Sequence, residues 1–165
     1  MAGMRQRAAE GLQVGDTFTI SRVFTHEEVA LFAKISGDYN PVHFDERFAK
    51  ARKFRTTICH GLLTAGMVSE IGGQIGWLAS MLNFKLKAPV YVGETITCRM
   101  IITAIDERGR ATAVATMTRD DGTVVIESDM RGVVPGVEER KVIAQMLAEG
   151  DPTNGLAEAR GTTDR

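Results

Sequence analysis

The stretch from Gly61 to Trp77 constrains this chain more than any other. It is apolar almost all round, and a helix of that composition is stable only when buried in the middle of a domain. Gly66, Gly72 and Gly73 each cost about 1 kcal/mol of helix propensity relative to alanine. Such a loss is tolerated where a neighbouring element must approach the backbone closely. The pattern therefore predicts a long buried helix enclosed by a curved sheet. A membrane span is excluded, because Ser69, Glu70 and Gln74 interrupt the apolar run.

The sheet is legible downstream. Ile96, Cys98, Met100, Ile102 and Ala104 alternate with Thr95, Thr97, Arg99 and Thr103, the period of a half-buried strand. Asp106-Glu107-Arg108-Gly109 reverses the chain, Ala111 to Arg119 alternates again, and Asp120-Asp121-Gly122 leads into a last strand, Thr123 to Val134. These segments predict an antiparallel meander. Upstream, Thr17 to Phe24 reads as a first strand, and Thr25-His26-Glu27-Glu28 has the spacing of a capping box. The helix it starts carries Val29, Phe32 and Ala33 on one face and stops at Ser36-Gly37. Asp45 to Ala51 suits a brief helix, and Val137 to Ala148 a terminal one. The expected organisation is one domain over residues 1–149 and a disordered tail over 150–165, where little can be buried.

Charge narrows the function. Twenty Lys+Arg against 21 Asp+Glu leave a net charge of −1 in 165 residues, so no global basic field draws nucleic acid or acidic lipid. Cys59 and Cys98 lie far apart without Cys-x-x-Cys spacing, and the N-terminus has no apolar core of a secretory signal. A reducing cytoplasm is the expected compartment.

The chain has three histidines. His26 opens a helix and reads as a surface residue. His43 follows Asp38 by five residues in a turn-forming loop, Asp38-Tyr39-Asn40-Pro41-Val42-His43, which brings an acid and an imidazole near each other. Such a pair can move protons at neutral pH. The same spacing equally suits Asp38 and Asn40 as turn caps with His43 as a buried structural residue. Cys59 beside His60 looks like a thiol and its base, but adjacent residues seldom face one another. His60-Gly61 stands instead at the entrance to the buried helix, where unpaired backbone N–H groups carry partial positive charge. The histidines lack metal-ligand spacing, so no metal is expected.

Taken together, these residues resemble a known family. Phe32-x-x-x-Ser36-Gly37-Asp38-Tyr39-Asn40-Pro41-Val42-His43, with Ala49 six positions on, is similar to the signature of the (R)-specific enoyl-CoA hydratases of the MaoC-like dehydratases. His60-Gly61-Leu62-Leu63 and Phe84-Lys85-x-x-x-Pro89-Val90-Tyr91-Val92-Gly93-Glu94-Thr95 extend the resemblance over about residues 14–135. It implies an α+β hot-dog fold, a curved antiparallel sheet wrapped around a long central helix, and a homodimer. It implies that Asp38 and His43 hold the water added to a trans-2-enoyl thioester, that the Gly61 N–H binds the thioester oxygen, and that Ser69 supports the pair by hydrogen bonding. Asn40 and His60 belong to the substrate site on the same grounds.

Coenzyme A would be part of the substrate and no cofactor is expected. Arg52 and Lys85, with Lys53, Arg55 and Lys87, are candidate contacts for its phosphates, and an acyl carrier protein is the other possible carrier. The competing functions are a hot-dog thioesterase, with water directed at the carbonyl carbon, and a non-catalytic acyl-thioester-binding subunit.

Overall fold

The computed structural model describes residues 3–156. Five strands form one antiparallel sheet: β1 (Thr17–Val23), β2 (Leu78–Leu86), β3 (Thr95–Ile105), β4 (Arg110–Arg119) and β5 (Val124–Val133), in the order β1-β3-β4-β5-β2. The helices are α1 (Met4–Glu10), α2 (His26–Ser36), α3 (Glu46–Ala51), α4 (Gly61–Ala65), α5 (Met67–Ile75) and α6 (Val137–Ala148), with a 3₁₀ turn at Pro41–His43.

Alternation along β3 and β4 builds the inner face. In register, Cys98 pairs with Met117, Met100 with Ala115 and Ile102 with Ala113, and all six are buried. The small side chains at 111, 113 and 115 leave room for helix α5 above them, whose Met67, Val68, Ile71 and Ile75 belong to the same core cluster. Three bulges, between Ala79 and Met81, between Ile102 and Ala104, and between Met117 and Thr118, bend the strands around it. The bulge in β3 breaks the predicted alternation. Ala104 is exposed, and Ile105 packs against the core in its place.

The central helix departs from the expected continuous rod. It is broken at Gly66, which caps α4 and opens α5, and it ends at Gly76, whose φ of 68° is left-handed. Trp77 therefore lies beyond the helix, packed in the core. The next strand, β2, is absent from the sequence reading because its residues do not alternate in burial. It is an edge strand, paired among the described residues with β5 alone and exposed over most of its length. Gly132 permits that pairing: a Cβ there would run into the Trp77 indole nitrogen and the Leu78 carbonyl oxygen.

Helix α2 forms as predicted, with Thr25 and Glu28 exchanging capping-box bonds and Gly37 ending it at φ 75°. The terminal segment corrects an expectation. Residues 150–156 are docked: Asp151 and Asn154 are buried, Arg5 lies 3.1 Å from Asp151, and the Gln74 and Asn154 amides bond reciprocally. Helix α1, unforeseen in the sequence, supplies that arginine, so polar pairing orders a segment with few apolar groups to bury. Residues 157–165 lie outside the described residues. No helix among the described residues is long and apolar enough to cross a membrane.

Candidate active site

The loop after α2 is held by side chain-to-backbone hydrogen bonds, because Ser, Asp and Asn can substitute for turn carbonyls. Ser36 Oγ donates to the Phe32 carbonyl at 2.7 Å and accepts from the Asp38 N–H at 3.2 Å. Asp38 Oδ1 accepts from the Asn40 N–H, and Asn40 Oδ1 from the Val42 N–H, each at 3.2 Å. Pro41 then opens the 3₁₀ turn that ends on His43.

His43 is oriented by a carbonyl. Its Nδ1 lies 2.8 Å from the Ile58 carbonyl oxygen. A carbonyl can only accept, so Nδ1 carries the proton and the neutral ring presents a bare Nε2. Burial holds the His43 pKa below the ordinary histidine value; the Ile58 bond opposes that, while His60 lowers the pKa further and Asp38 raises it. The neutral form is therefore the resting one near pH 7. Nε2 faces Asp38 Oδ2 at 3.8 Å, with the carboxylate side chain 48% exposed. Two acceptors at that separation repel unless a group with two O–H donors lies between them, and a water molecule has that shape.

His43 and Gly61 both line a cavity of about 460 Å³, with Phe54, Leu86, Val90 and Ile126 among its apolar walls. Gly61 is the first residue of α4, where the backbone N–H has no carbonyl one turn back. Thus the His43 imidazole and the helix-opening Gly61 line one apolar chamber, with the Asp38 carboxylate beside the imidazole.

The other predicted residues divide. Asn40 fixes the loop through its turn bond. His60 does not line the chamber: it is 1% exposed, its Nε2 bonds to the Asp38 carbonyl oxygen at 2.9 Å, and its ring stacks on His43 with centroids 3.7 Å apart. Its side chain, expected in the substrate site, lies against the His43 ring and does not line the chamber. Ser69 is exposed on α5, past the break at Gly66, and among the described residues its side chain bonds to neither Asp38 nor His43. Arg52 is exposed at the end of α3. Lys85 borders a separate shallow groove with Glu127. Of the basic candidates Lys87 reaches the chamber, 3.5 Å from Glu127. Arg55 is held by Glu94 at 2.7 Å and lies over the Tyr91 ring.

Cys59 also lines the chamber, but burial first, then Glu94 and Glu28, push its thiol pKa up to about 12. It stays protonated and is a poor nucleophile. Asp38, His43 and His60 bring ligand-type atoms within 4.8 Å of one another. The two rings lie nearly face to face, 30° apart in tilt, so their in-plane lone pairs run side by side instead of meeting at one point. That geometry suits proton transfer better than metal coordination. The Ile58 carbonyl was invisible in the sequence, since any residue type supplies one.

The MaoC like domain model matches residues 10–124. The chain belongs to the MaoC-like family. Among curated relatives, the 3-hydroxybutyryl-CoA dehydratase of Methylorubrum extorquens is 34% identical over 148 residues, spanning 86% of this MaoC-like chain and 92% of the relative. The (R)-specific enoyl-CoA hydratase of Aeromonas caviae is 39% identical over 106 residues, 61% of this chain and 78% of that one. Among solved structures, the (R)-hydratase from A. caviae involved in PHA biosynthesis superposes with a TM-score of 0.71 at 31% identity, covering 76% of this chain and 99% of that one. The hot-dog architecture expected of the five-stranded sheet and its helix is that of this neighbour.

Proposed function

We propose that this protein is a lyase that adds water reversibly to trans-2-enoyl-CoA, giving (R)-3-hydroxyacyl-CoA. The observation that carries the reading is the 3.8 Å separation of His43 Nε2 and Asp38 Oδ2 beside the apolar chamber. A water donating to both is activated at its oxygen. As that oxygen bonds to C3, the pair takes one of its protons, and negative charge moves through C2 onto the thioester oxygen. The Gly61 N–H stabilises that charge. A proton returned by the pair to C2 completes the addition, so the elements of one water molecule are gained and nothing is oxidised. The reverse sequence dehydrates.

The reaction calls on no metal or cofactor; coenzyme A enters with the substrate, and Lys87 at the chamber offers its phosphates a positive charge. The relatives' names, hydratase and dehydratase, support the same chemistry. A homodimer fits the bare edge of β2, where Leu78, Leu82 and Leu86 are exposed beside unpaired backbone groups. Sedimentation of the purified protein at twice the monomer mass tests it.

The test of the reaction is a two-signal assay with enoyl-CoA esters. Hydration removes enone absorbance and releases no thiol. Steady thiol release with the enone intact would instead identify a thioesterase, and binding without either signal a non-catalytic subunit.

A further inference from the structure

His60 is a costly residue for its position. Its side chain is 1% exposed and its Nδ1 is buried without a hydrogen-bond partner among the described residues. A phenylalanine would fill the space with no orphaned polar atom, so stability alone does not account for an imidazole here. Its other contacts do. Nε2 lies 2.9 Å from the Asp38 carbonyl oxygen, which can only accept, so Nε2–H is the donor. The ring lies against His43 at 3.7 Å, and Phe32 of α2 packs against it at 4.9 Å. The backbone of His60 is the cap of α4, with its carbonyl accepting from the Thr64 N–H at 3.1 Å, and the next residue is Gly61.

Three groups on separate segments therefore meet at this residue: the Asp38 loop, the His43 ring on the 3₁₀ turn, and the Gly61 N–H at the front of α4. We propose that His60 is a positioning residue that registers the Asp38 carboxylate and the His43 imidazole against the Gly61 N–H. It holds the first by a hydrogen bond to its backbone, the second by ring stacking and the third by covalent adjacency. The proposal rests on the reading of Asp38 and His43 as the water-holding pair. His60 itself touches neither water nor substrate, so its loss should lower turnover and leave substrate affinity alone.

The experiment compares His60→Phe and His60→Gln in the full chain, with activity normalised to the folded fraction by circular dichroism. Phenylalanine keeps a ring against His43 and removes the donor. Glutamine places an amide N–H where Nε2–H stood. The expected result is a kcat lowered about 5- to 10-fold in His60→Phe, the worth of one hydrogen bond, with KM for enoyl-CoA unchanged, and recovery of most of that loss in His60→Gln. A raised KM with kcat intact would mean a substrate contact and overturn the proposal. Wild-type kcat in His60→Phe, or an equal loss in both variants, would overturn it too. Nitrogen-15 shifts of the wild-type imidazoles provide a check free of variant folding: His60 should be the Nε2–H tautomer, and the Nδ1–H tautomer refutes the proposal. Asp38→Asn and His43→Gln serve as references. If they retain wild-type turnover the pair itself is misread; if they are dead while His60→Phe is fully active, only the role of His60 falls.

Discussion

Asp38→Asn separates chemistry from structure at this site. The replacement is isosteric, and its remaining side-chain oxygen can still accept from the Asn40 N–H that Asp38 Oδ1 binds at 3.2 Å, so the loop keeps its turn. The carboxylate side chain is 48% exposed and its contact with His43 is long, at 3.8 Å, so the stability change should stay within about 0.5 kcal/mol. What is lost is an ionisable oxygen. An amide can accept a hydrogen bond from the water but cannot take or return its proton, and removing a positioned acid-base group typically slows the reaction about 10²- to 10⁴-fold. That is about 3 to 5 kcal/mol of barrier. The assay is loss of enone absorbance on hydration of enoyl-CoA esters of graded length, with thermal unfolding run in parallel. Turnover within about threefold of wild type in a folded variant would refute the reasoning.

Three further outcomes follow from the same geometry. Gly61→Pro removes the N–H in a backbone that suits proline, since proline is at home in the first helical position and the preceding His60 is already extended, φ −61° and ψ 134°. Its Cβ would also push on the end of the Leu86 side chain, 2.6 Å away, so Gly61→Ala, which adds the same Cβ and keeps the N–H, is the control. Relative to it kcat should fall about 10²- to 10³-fold, while equal kcat in the two variants would exclude this donor. Since burial lowers the His43 pKa below 6.5, the acid limb of kcat/KM for hydration should be centred below pH 6.5. In the same window the unfolded chain binds the proton first, so stability from this group is complete above 6.5 and declines as pH falls toward the folded value; a limb above 6.5 contradicts the assignment. Gly132→Ala forces a methyl into Trp77 and the Leu78 backbone, which should cost about 1–3 kcal/mol and lower Tm by about 2–12 °C, while an unaltered Tm in thermal unfolding would show that β2 moves aside freely.

Much of the architecture follows from local rules that any short window displays. The capping box at Thr25 and Glu28, the glycine stop at Gly37 and the terminal helix Val137–Ala148 stand where the spacing puts them. So does the meander of β3, β4 and β5, because period-two alternation and Asp/Gly turns are properties of neighbouring residues. The pairing of an acid with an imidazole was also local, five residues apart in one loop. Strand β2 was hidden because an edge strand exposed on most of its length has no burial pattern to display. Helix α1 and the docked segment 150–156 were hidden because an arginine at residue 5 and an aspartate at 151 carry no mark of their partnership.

The sequence by itself determined the capping-box helix, the meander and the buried apolar helical stretch, and it placed an acid and an imidazole five residues apart in one loop. Tertiary structure decided the surroundings of those residues: the Ile58 carbonyl that selects the His43 tautomer, the burial that lowers its pKa, and the stacking that sets the His60 ring against His43. Tautomer, pKa and orientation depend on atoms brought together from distant parts of the chain, and no local pattern specifies them.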